Sequence, residues 1–430
     1  MMSALYPSPT KTKGEPIAWA LTLVFSAMLL GNNLFTKVTL LLCLSYFGFK
    51  NMRVMPEIFS ALRFNPGLML FQLWAASSVF WSVVPKVTRD IVFVQTAFFC
   101  LCVLMARYAI GKDLIKSLKL AAFFVITVIV LFALAYPKNA VSPSGFKAFY
   151  VNKNNLGLVM SVCLVIILYS SKLKWLDYGF ATIAFTLLLL SRSKTSLGLL
   201  LFIVVISLLL HLLKKLHGQL SSFAKGMLAL CGRGLLVCVY GFIILMVLYR
   251  DTIASYLIKL LPYEFLTGRG ELWVTVLKRA EIDLLHGLGP GSFWGAGRLS
   301  EIAQTSLLTK YPLWIEKLGS ADGGYIDLIG ALGFVGLAIL FCTFVSNYRR
   351  LMMIATAPIS GMLIALITLF VFHNITETTV YHSTNFLWFL YLFLSFYLIF
   401  FSNINIAKQV AEVEVRTEIL AHPELRRCYE

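Results

Sequence analysis

The sequence predicts an all-α polytopic membrane protein, and two observations carry that prediction. Of the 430 residues, 59% are hydrophobic and only 13% are charged, and the mean hydropathy is +0.83. A soluble domain cannot hide that much apolar surface. The apolar runs are continuous over about 15–22 residues, the helical spanning length, and lack the alternation of a transmembrane barrel. Because lipid offers no partner for an unpaired backbone N–H or C=O, spans of this kind must be helices.

Reading the apolar windows in order predicts about 12 transmembrane helices. They lie near residues 16–32, 34–49, 67–83, 91–109, 118–136, 155–171, 175–191, 196–213, 227–249, 322–345, 352–373 and 385–402. The predicted parts of the chain are an N-terminal membrane region of nine spans (1–249), one large loop between late helices (250–321), a C-terminal membrane region of three spans (322–402) and a mixed-charge tail (403–430).

Positive charge predicts the orientation of these spans. Alternate connections are rich in Lys and Arg, and such connections remain in the cytoplasm. Both termini are then cytoplasmic, and the large loop faces the outer side. The cations of the cytoplasmic set are Lys11, Lys13, Lys50, Arg53, Arg63, Arg107, Lys112, Lys116, Lys119, Lys172, Lys174, Lys214, Lys215, Lys225, Arg349 and Arg350.

Short polar islands separate the apolar spans, and this topology places all of them at the outer face. They read WSVVPKVTR, NKNNLG, SRSKTS, TGRGELW with HGLGPGSFWGAG, SADGGYIDLIGALGFVG, and HNITETT. A membrane protein keeps charged residues at helix ends only at a cost, so such residues generally bind or react with something. We therefore expect the islands to form one site.

Cations on the outer side indicate an anionic partner, because positive charge opposes translocation. A phosphate or diphosphate is favoured, since Arg binds such groups through two parallel hydrogen bonds. Simple solvation or contact with lipid head groups is the alternative for any single lysine. The outward cations are Lys86, Arg89, Lys138, Lys147, Lys153, Arg192, Lys194, Arg250, Lys259, Arg269, Lys278, Arg279, Arg298, Lys310 and Lys317.

Two islands suit phosphate oxygens best. In SRSKTS, Arg192 and Lys194 are flanked by hydroxyls at a tight hairpin, although a snorkelling pair that ends a helix is the alternative. In TGRGELW, Arg269 lies between Gly268 and Gly270, just before an amphipathic stretch. The glycines let the backbone approach a ligand, and a helix start offers free N–H groups to an anion. A plain loop-to-helix turn is the alternative there.

Carboxylates in two other islands are candidate general bases. Asp322 opens the tenth span as either a helix cap or a base, since partial burial raises the pKa of a carboxylate. Glu377 in HNITETT is either a structural tether for an arginine or a base, and His373 is a spare candidate. The glycine-rich segment that follows His286 is either a flexible wall or a sugar-stacking surface, with His286 as a structural loop residue.

The order of these islands resembles that of the O-antigen ligase and Wzy-type polysaccharide polymerase superfamily, particularly its exopolysaccharide-polymerase-like branch. The matching features extend over about residues 81–390. They are WS-x-x-P with Arg89, KN-x-LG (Lys153 to Gly157), SRS-x-T (Ser191 to Thr195), GR-x-x-LW (Gly268 to Trp273), the G-x-GPGSFW loop and GYIDLIGALGFVG.

This resemblance implies a GT-C-like glycosyltransferase of the bacterial inner membrane, with the large loop in the periplasm. The implied partners are an undecaprenyl-diphosphate-linked glycan donor, a lipid-linked glycan acceptor, membrane lipids and, in addition, a chain-length regulator. It implies no cofactor and no metal, in agreement with the absence of a D-x-D pair in the outward loops. The expected site residues are Arg89, Lys153, Arg192, Lys194 and Arg269 for the diphosphate, Trp273, Trp294 and Tyr325 for glycan, and Asp322 and Glu377 for catalysis.

The leading expectation is a polymerase that joins lipid-linked repeat units into a polysaccharide. Ligases of the superfamily generally carry a His-Asn pair where this chain has Asp322 and Gly323, so a ligase that transfers finished glycan to lipid A core or protein is the alternative. A polysaccharide transporter is a lesser alternative, because no internal repeat is detectable and midmembrane charges are nearly absent. The net charge of +17 is spread over many loops without a nucleic-acid motif, so no nucleic-acid partner is expected.

Overall fold

A computed structural model describes most of the chain. The described ranges are 15–29, 34–63, 65–143, 145–150, 152–169, 173–219, 222–261, 269–294, 297–305, 319–354, 359–382 and 385–421. Several predicted positions lie outside these ranges, namely Lys11, Lys13, Lys172, Gly268, Lys310, Lys317 and the tail residues 422–430.

The described chain is almost entirely helical, which confirms the predicted all-α class. Its helices are α1 (Glu15–Leu29), α2 (Leu34–Asn51), α3 (Met55–Arg63), α4 (Gly67–Ser77), α5 (Pro85–Ala109), α6 (Leu114–Ala135), α7 (Pro137–Ala140), α8 (Lys153–Leu168), α9 (Trp175–Ser191), α10 (Lys194–Gln219), α11 (Ser222–Leu248), α12 (Arg250–Leu260), α13 (Arg269–Ala280), α14 (Gly324–Met353), α15 (Ser360–Thr376) and α16 (Phe386–Ala421). Short 3-10 turns lie at Met52–Val54, Ser78–Phe80, Glu281–Asp283, Gly297–Leu299 and Glu301–Gln304. Strands β1 (Val141–Ser142) and β2 (Gly145–Phe146) form a small antiparallel hairpin.

Four described helices are long and apolar enough to cross a membrane. They are Pro85–Ala109, Leu114–Ala135, Gly324–Met352 and Phe386–Ile404, and a fifth span results if Leu236–Leu248 and Arg250–Leu260, bent by 85°, are one broken helix. This count is below the 12 predicted. A described helix occupies part of every predicted window, but the others are shorter or less apolar within the described residues. A helix of 16 residues rises only about 24 Å, against a hydrocarbon core of about 30 Å.

The core of the bundle lies along α16, whose membrane-spanning window is 83% buried. Its aromatic side chains Trp388, Phe389, Tyr391, Phe393 and Phe396 are all buried, and Tyr391 stacks on Phe370 of α15 with ring centroids 4.1 Å apart. Large aromatic rings bury the most apolar area per side chain, so this packing fixes α15 against α16. Glu377 directly follows α15 and so lies at one end of this packed pair of helices.

Helix α14 is broken near its middle, where Gly333 has φ +67° and ψ −173°. The glycine-rich segment 284–289 packs into the break through backbone hydrogen bonds. Leu288 and Gly289 donate to the carbonyls of Gly330 and Ala331 at 2.8 and 2.9 Å, and Phe334 and Val335 donate to those of Leu284 and Leu285 at 2.9 and 3.3 Å. The segment thus satisfies backbone groups that the broken helix leaves without partners. The sequence analysis predicted a flexible wall or a sugar-stacking surface here, and the structure shows a packed support.

Replacing Gly333 by Ala will destabilise the fold. A Cβ atom at this position would lie 2.1 Å from the carbonyl oxygen of Leu285, and a side chain at this positive φ is strained. We expect the free energy of unfolding to fall by about 2 kcal/mol or more. SDS titration of the purified protein in mixed micelles measures this. Gly198→Ala is the matched control, because a Cβ there meets nothing within 4 Å. Equal stability of the two variants would contradict the proposed role of the break.

Candidate active site

Residues from five islands are joined at one end of the bundle, and Arg269 is at their centre. Its Nη2 atom lies 2.7 Å from Oε1 of Glu377 and 3.5 Å from Oδ2 of Asp322. Asn154 Nδ2 donates to the same Glu377 oxygen at 2.7 Å, and Ser193 Oγ donates to Asn154 Oδ1 at 3.1 Å. We call these five residues the Arg269 cluster. The sequence predicted that all the islands form one site, and side chains from five of the six meet in this cluster.

Local structure positions each member of the cluster. Arg269 is the first residue of α13, and Glu377 follows the last turn of α15 in an extended conformation. Asn154 lies in the first turn of α8, which Asn152 caps by accepting from the N–H of Asn155 at 2.9 Å. Ser193 lies between α9 and α10. Three helix ends and one helix-to-helix turn therefore meet in a chain of hydrogen bonds that runs from Ser193 through Asn154 and Glu377 to Arg269.

Asp322 has a left-handed backbone conformation, with φ +51°. Such conformations are sparsely populated by residues other than glycine, although Asp tolerates them, and they cluster at functional sites. The two glycines that follow are required by close packing. A Cβ on Gly323 would lie 2.7 Å from the indole of Trp273, and one on Gly324 would lie 2.2 Å from Oδ1 of Asn374. The turn that carries Asp322 is therefore tightly packed against Trp273 and Asn374.

The cluster contains two carboxylates but one guanidinium. Burial raises the pKa of both Asp322 and Glu377, while the charge of Arg269 opposes the shift in each. The two carboxylates are not equivalent. The side chain of Glu377 is 8% exposed and accepts from both Arg269 and Asn154, whereas that of Asp322 is 36% exposed and more distant from Arg269. This geometry fits Glu377 as a tether and leaves Asp322 as the accessible carboxylate.

Asp327, which the sequence analysis did not single out, holds the neighbouring segments together. Its carboxylate accepts from the N–H of Ala321 at 3.1 and 3.0 Å, from Nε1 of Trp294 at 2.8 Å, and from the hydroxyl of Thr378. Thr378 in turn accepts from the N–H of Gly323 at 3.0 Å. A carboxylate inside an apolar helix has a high free-energy cost in a membrane protein. The position of Asp327 within an apolar run was therefore the sequence signal that could have identified it.

The predicted glycan-binding residues have different surroundings. Trp273 is only 7% exposed and donates from Nε1 to the carbonyl of Ala321 at 2.9 Å, so its indole supports the Asp322 turn from inside the fold. Tyr325 donates from its hydroxyl to the carbonyl of Val371 at 2.6 Å, which joins α14 to α15. Trp294 is half-buried, with its indole N–H held by Asp327. Trp294 also lines a cavity.

The cavity that Trp294 lines has a volume of about 280 Å³, and Asp327 and Thr378 form part of its wall. Its walls come from the start of α5, the glycine-rich segment, α14 and the residues that follow Thr378. The lining residues include Ile91, Pro290, Trp294, Leu328, Tyr381 and His382. The first island, WSVVPKVTR, contacts the glycine-rich segment that forms part of the cavity wall. Thr88 of this island donates to the carbonyl of Pro290 at 2.9 Å.

The predicted diphosphate-binding cations other than Arg269 lie near the surface. Arg192, which ends α9 with φ +52°, and Lys194 are exposed on either side of Ser193, and Lys153 is half-buried in the first turn of α8. Arg89 is exposed on α5, and its Nε lies 3.7 Å from Oδ1 of its neighbour Asp90. The structure therefore brings Arg192, Lys194 and Lys153 beside the Arg269 cluster, while Arg89 pairs with Asp90.

Both candidate histidines are part of the packed structure. His373 is 2% exposed in the last turn of α15, and its Nδ1 has no hydrogen-bond partner among the described residues. His286 lies 3.0 Å from Oδ2 of Asp283 and stacks on the indole of Trp74 with ring centroids 5.6 Å apart. His286 therefore has the structural loop role that the sequence analysis gave it. In the part of the chain that the structure describes, no group of three or more His, Cys, Asp and Glu residues could hold a metal ion.

A scan against models of known protein families finds no match to this chain, and a search among curated proteins finds no similar sequence.

Replacing Glu377 by Gln will destabilise this end of the bundle. The substitution keeps the size of the side chain but removes the main negative partner of Arg269, whose side chain is 15% exposed. Removal of one partner from a buried ion pair costs about 3 kcal/mol. SDS titration of the purified variant measures the loss. Asp90→Asn is the matched control, because the Arg89–Asp90 pair is exposed and such pairs contribute little. An unchanged Glu377→Gln transition would exclude the tether role.

Proposed function

We propose that this chain is a 12-span, GT-C-like glycosyltransferase of the bacterial inner membrane. It polymerises undecaprenyl-diphosphate-linked repeat units into an exopolysaccharide or O-antigen at the periplasmic face. The observation that carries the proposal is the Arg269 cluster. It joins side chains from five polar islands at one end of the bundle, with two carboxylates around one arginine and further cations at its rim.

The proposed reaction needs one base and a stabilised leaving group. A hydroxyl of the acceptor sugar attacks the anomeric carbon of the donor, and the bond from that carbon to the diphosphate oxygen breaks. The diphosphate leaves with the electron pair, and the proton of the attacking hydroxyl passes to Asp322. Cations aimed at the departing oxygens lower the barrier because the charge develops there in the transition state.

The contacts of the cations support different roles for Arg269 and for the exposed pair Arg192 and Lys194. Arg269 already binds Glu377 through Nη2 and the carbonyl of Thr376 through Nη1, so its first role is to position the carboxylates. Arg192 and Lys194 are exposed beside the cluster, which leaves them accessible to the diphosphate of an incoming lipid. Bidentate binding by a guanidinium gives Arg192 the greater geometric selectivity of the two.

Asp322 is the better base of the two carboxylates. An Asp with its ordinary pKa of about 3.9 accepts a proton from a sugar hydroxyl poorly. Burial raises the pKa of Asp322 and so strengthens it as a base, while its exposed fraction leaves room for a hydroxyl group to approach. Glu377 also has a raised pKa, but Arg269 and Asn154 occupy one of its oxygens.

The cavity beside Trp294 supports a sugar-binding role. Its lining combines an indole, the Tyr381 ring and apolar side chains with a few polar groups at Asp327, Thr378 and His382. Ligand sites typically have this composition, in which apolar surface provides contact area and a few polar groups fix orientation. We assign the cavity to a sugar of the acceptor, next to the Asp322 turn.

A ligase that transfers finished glycan to lipid A core or protein would use the same donor site and differ only in its acceptor. A deletion experiment in the native host distinguishes the two. Carrier-lipid glycans and surface polysaccharide are extracted and resolved by size. We expect single lipid-linked repeat units to accumulate while long polymer disappears, and the wild-type gene to restore the polymer. Long polymer stranded on the carrier would indicate the ligase, and unchanged glycans would exclude both activities.

Asp322→Asn will abolish polymer formation while the protein remains folded and inserted. The amide retains the shape of the carboxylate but cannot accept the proton of the attacking hydroxyl. Complementation of the deletion strain with this variant, with Asp90→Asn as the control, measures the effect. We expect at least a 100-fold loss of polymer for Asp322→Asn, following the usual contribution of a general base of roughly 10²–10⁴, and none for Asp90→Asn. Near-normal polymer from a well-expressed Asp322→Asn would overturn the base assignment.

The pH dependence of the reaction provides a further test. The ionised form of Asp322 is the active one, so the rate of glycan transfer rises with pH through the raised pKa of Asp322 and then becomes constant. Because burial shifts this pKa upward, the rise lies above the ordinary Asp value of about 3.9. Radiolabelled lipid-linked repeat units, incubated with membranes from about pH 4.5 to 8, give the profile. A rate that is independent of pH over this range would contradict the assignment.

A further inference from the structure

A second polar cavity lies at the opposite end of α14, roughly 40 Å along the helix from the Asp322 turn. Its volume is about 100 Å³. A water molecule takes about 30 Å³ in the liquid, so the cavity has room for a few waters or for one small oxyanion. None of the polar islands contributes to it. The lining residues are Asn65, Pro66, Gly67, Leu68, Thr343, Ser346, Asn347, Arg350 and Ile399.

Arg350 supplies the charge in this cavity. Its Nη1 donates to Ser346 Oγ at 2.7 Å and its Nη2 donates to Oδ1 of Asn65. Both acceptors are neutral, and among the described side chains no carboxylate forms an ion pair with Arg350. A guanidinium has five N–H donors, so the two hydrogen bonds to Ser346 and Asn65 leave donors for an anion. A partly buried cation without a counter-charge is unfavourable, and an anion in the cavity would compensate it.

The start of α4 adds positive potential to the same cavity. Gly67 and Leu68 are the first residues of this 11-residue helix, and Pro66 before them gives no side-chain cap. N–H groups in the first turn have no intrahelical acceptor, and a helix start carries a partial positive charge. Gly67 packs closely on α14, since a Cβ there would lie 3.0 Å from Cγ2 of Thr343. Arg350 and the helix start therefore face one small space.

The segment before the cavity has the character of an interfacial helix. Helix α3 is strongly amphipathic, with Ile58 and Leu62 buried and Arg63 exposed at its end. Amphipathic helices of this kind lie in the plane of the lipid head groups. Because α3 ends at Arg63, two residues before Asn65, the cavity lies next to this amphipathic helix.

We propose that this cavity is a phosphate-binding site, held by Arg350, the Ser346 hydroxyl and the first N–H groups of α4. The ligand class is a single phosphate group, either the phosphodiester of a phospholipid head group or free inorganic phosphate. The site is separate from the Arg269 cluster, so it does not depend on the proposed glycosyltransferase activity and its failure would leave that proposal unaffected.

The test measures binding by the full-length protein purified in detergent. Thermal unfolding is followed with added phosphatidylglycerol, with diacylglycerol, which has the chains without the phosphate, and with inorganic phosphate or chloride at equal ionic strength. We expect phosphatidylglycerol to raise the unfolding temperature and diacylglycerol to leave it unchanged. A rise with inorganic phosphate beyond that with chloride would identify free phosphate as a sufficient ligand, whereas a rise with phosphatidylglycerol alone would identify the lipid.

Arg350→Gln and Arg349→Gln form a matched pair, because they remove the same charge from adjacent residues of one helix, and Arg349 is exposed. Arg350→Gln should bind the phosphate ligand at least 10-fold more weakly, while Arg349→Gln binds as the wild type does. Arg350→Lys keeps the charge and provides a readout if Arg350→Gln fails to fold, with an expected intermediate affinity. Equal weakening in both glutamine variants would show general surface electrostatics and overturn the proposal. Absence of any phosphate-dependent rise in the wild type would overturn it as well.

Discussion

The Arg269–Glu377 ion pair is the contact on which one end of the bundle depends, because it joins segments that the sequence separates by more than a hundred residues. Arg269 begins α13 and Glu377 ends α15, and both side chains are largely removed from solvent. Two charges in such a place are tolerated only when they are paired and their remaining hydrogen-bonding groups are satisfied. Asn154 donates a hydrogen bond to Glu377, and Arg269 donates one to the carbonyl of Thr376, so each charged group has a further partner. Since Asn154 also binds Ser193, the pair also determines how α8 and the turn before α10 approach the site.

The same pair explains why two carboxylates can have different roles in one site. Because Glu377 lies closer to Arg269 than Asp322 does, the attraction left for Asp322 is weaker, and the separation of Asp322 from the guanidinium is 3.5 Å. Asp322 also has a left-handed backbone and the larger exposed fraction. A group that is oriented but not fully neutralised is what proton transfer requires, since a fully paired carboxylate would hold its charge too firmly to accept a proton. Asp327 accepts four hydrogen bonds from three residues, and its role is structural, because these bonds fix the turn that carries Asp322.

Much of the fold and part of the site could be predicted from the sequence. Composition and continuous apolar runs predicted the helical class, and the cost of charge near a membrane identified the islands whose side chains meet at Arg269. The break at Gly333 could not be predicted, because it depends on backbone hydrogen bonds with a segment about fifty residues earlier. The burial of Trp273, an expected glycan-binding residue, could not be predicted either. A sequence pattern shows the residue type, but not which face of the indole is covered by the fold.

The break in α14 has a mechanical consequence for its two ends. In a continuous helix, a shift at one end is transmitted to the other through unbroken backbone hydrogen bonds. Here the bonds near Gly333 run instead to residues 284–289, and the next residue, Pro290, accepts a hydrogen bond from Thr88 of α5. Both parts of α14 bond to this segment, the first through the carbonyls of Gly330 and Ala331 and the second through the N–H groups of Phe334 and Val335. The second part is also fixed to Asn65 before α4 and to α16 through Asn347 and Ser395. The segment therefore links the two parts of α14, so the position of the Asp322 turn relative to Arg350 depends on residues 284–289 as well as on α14 itself.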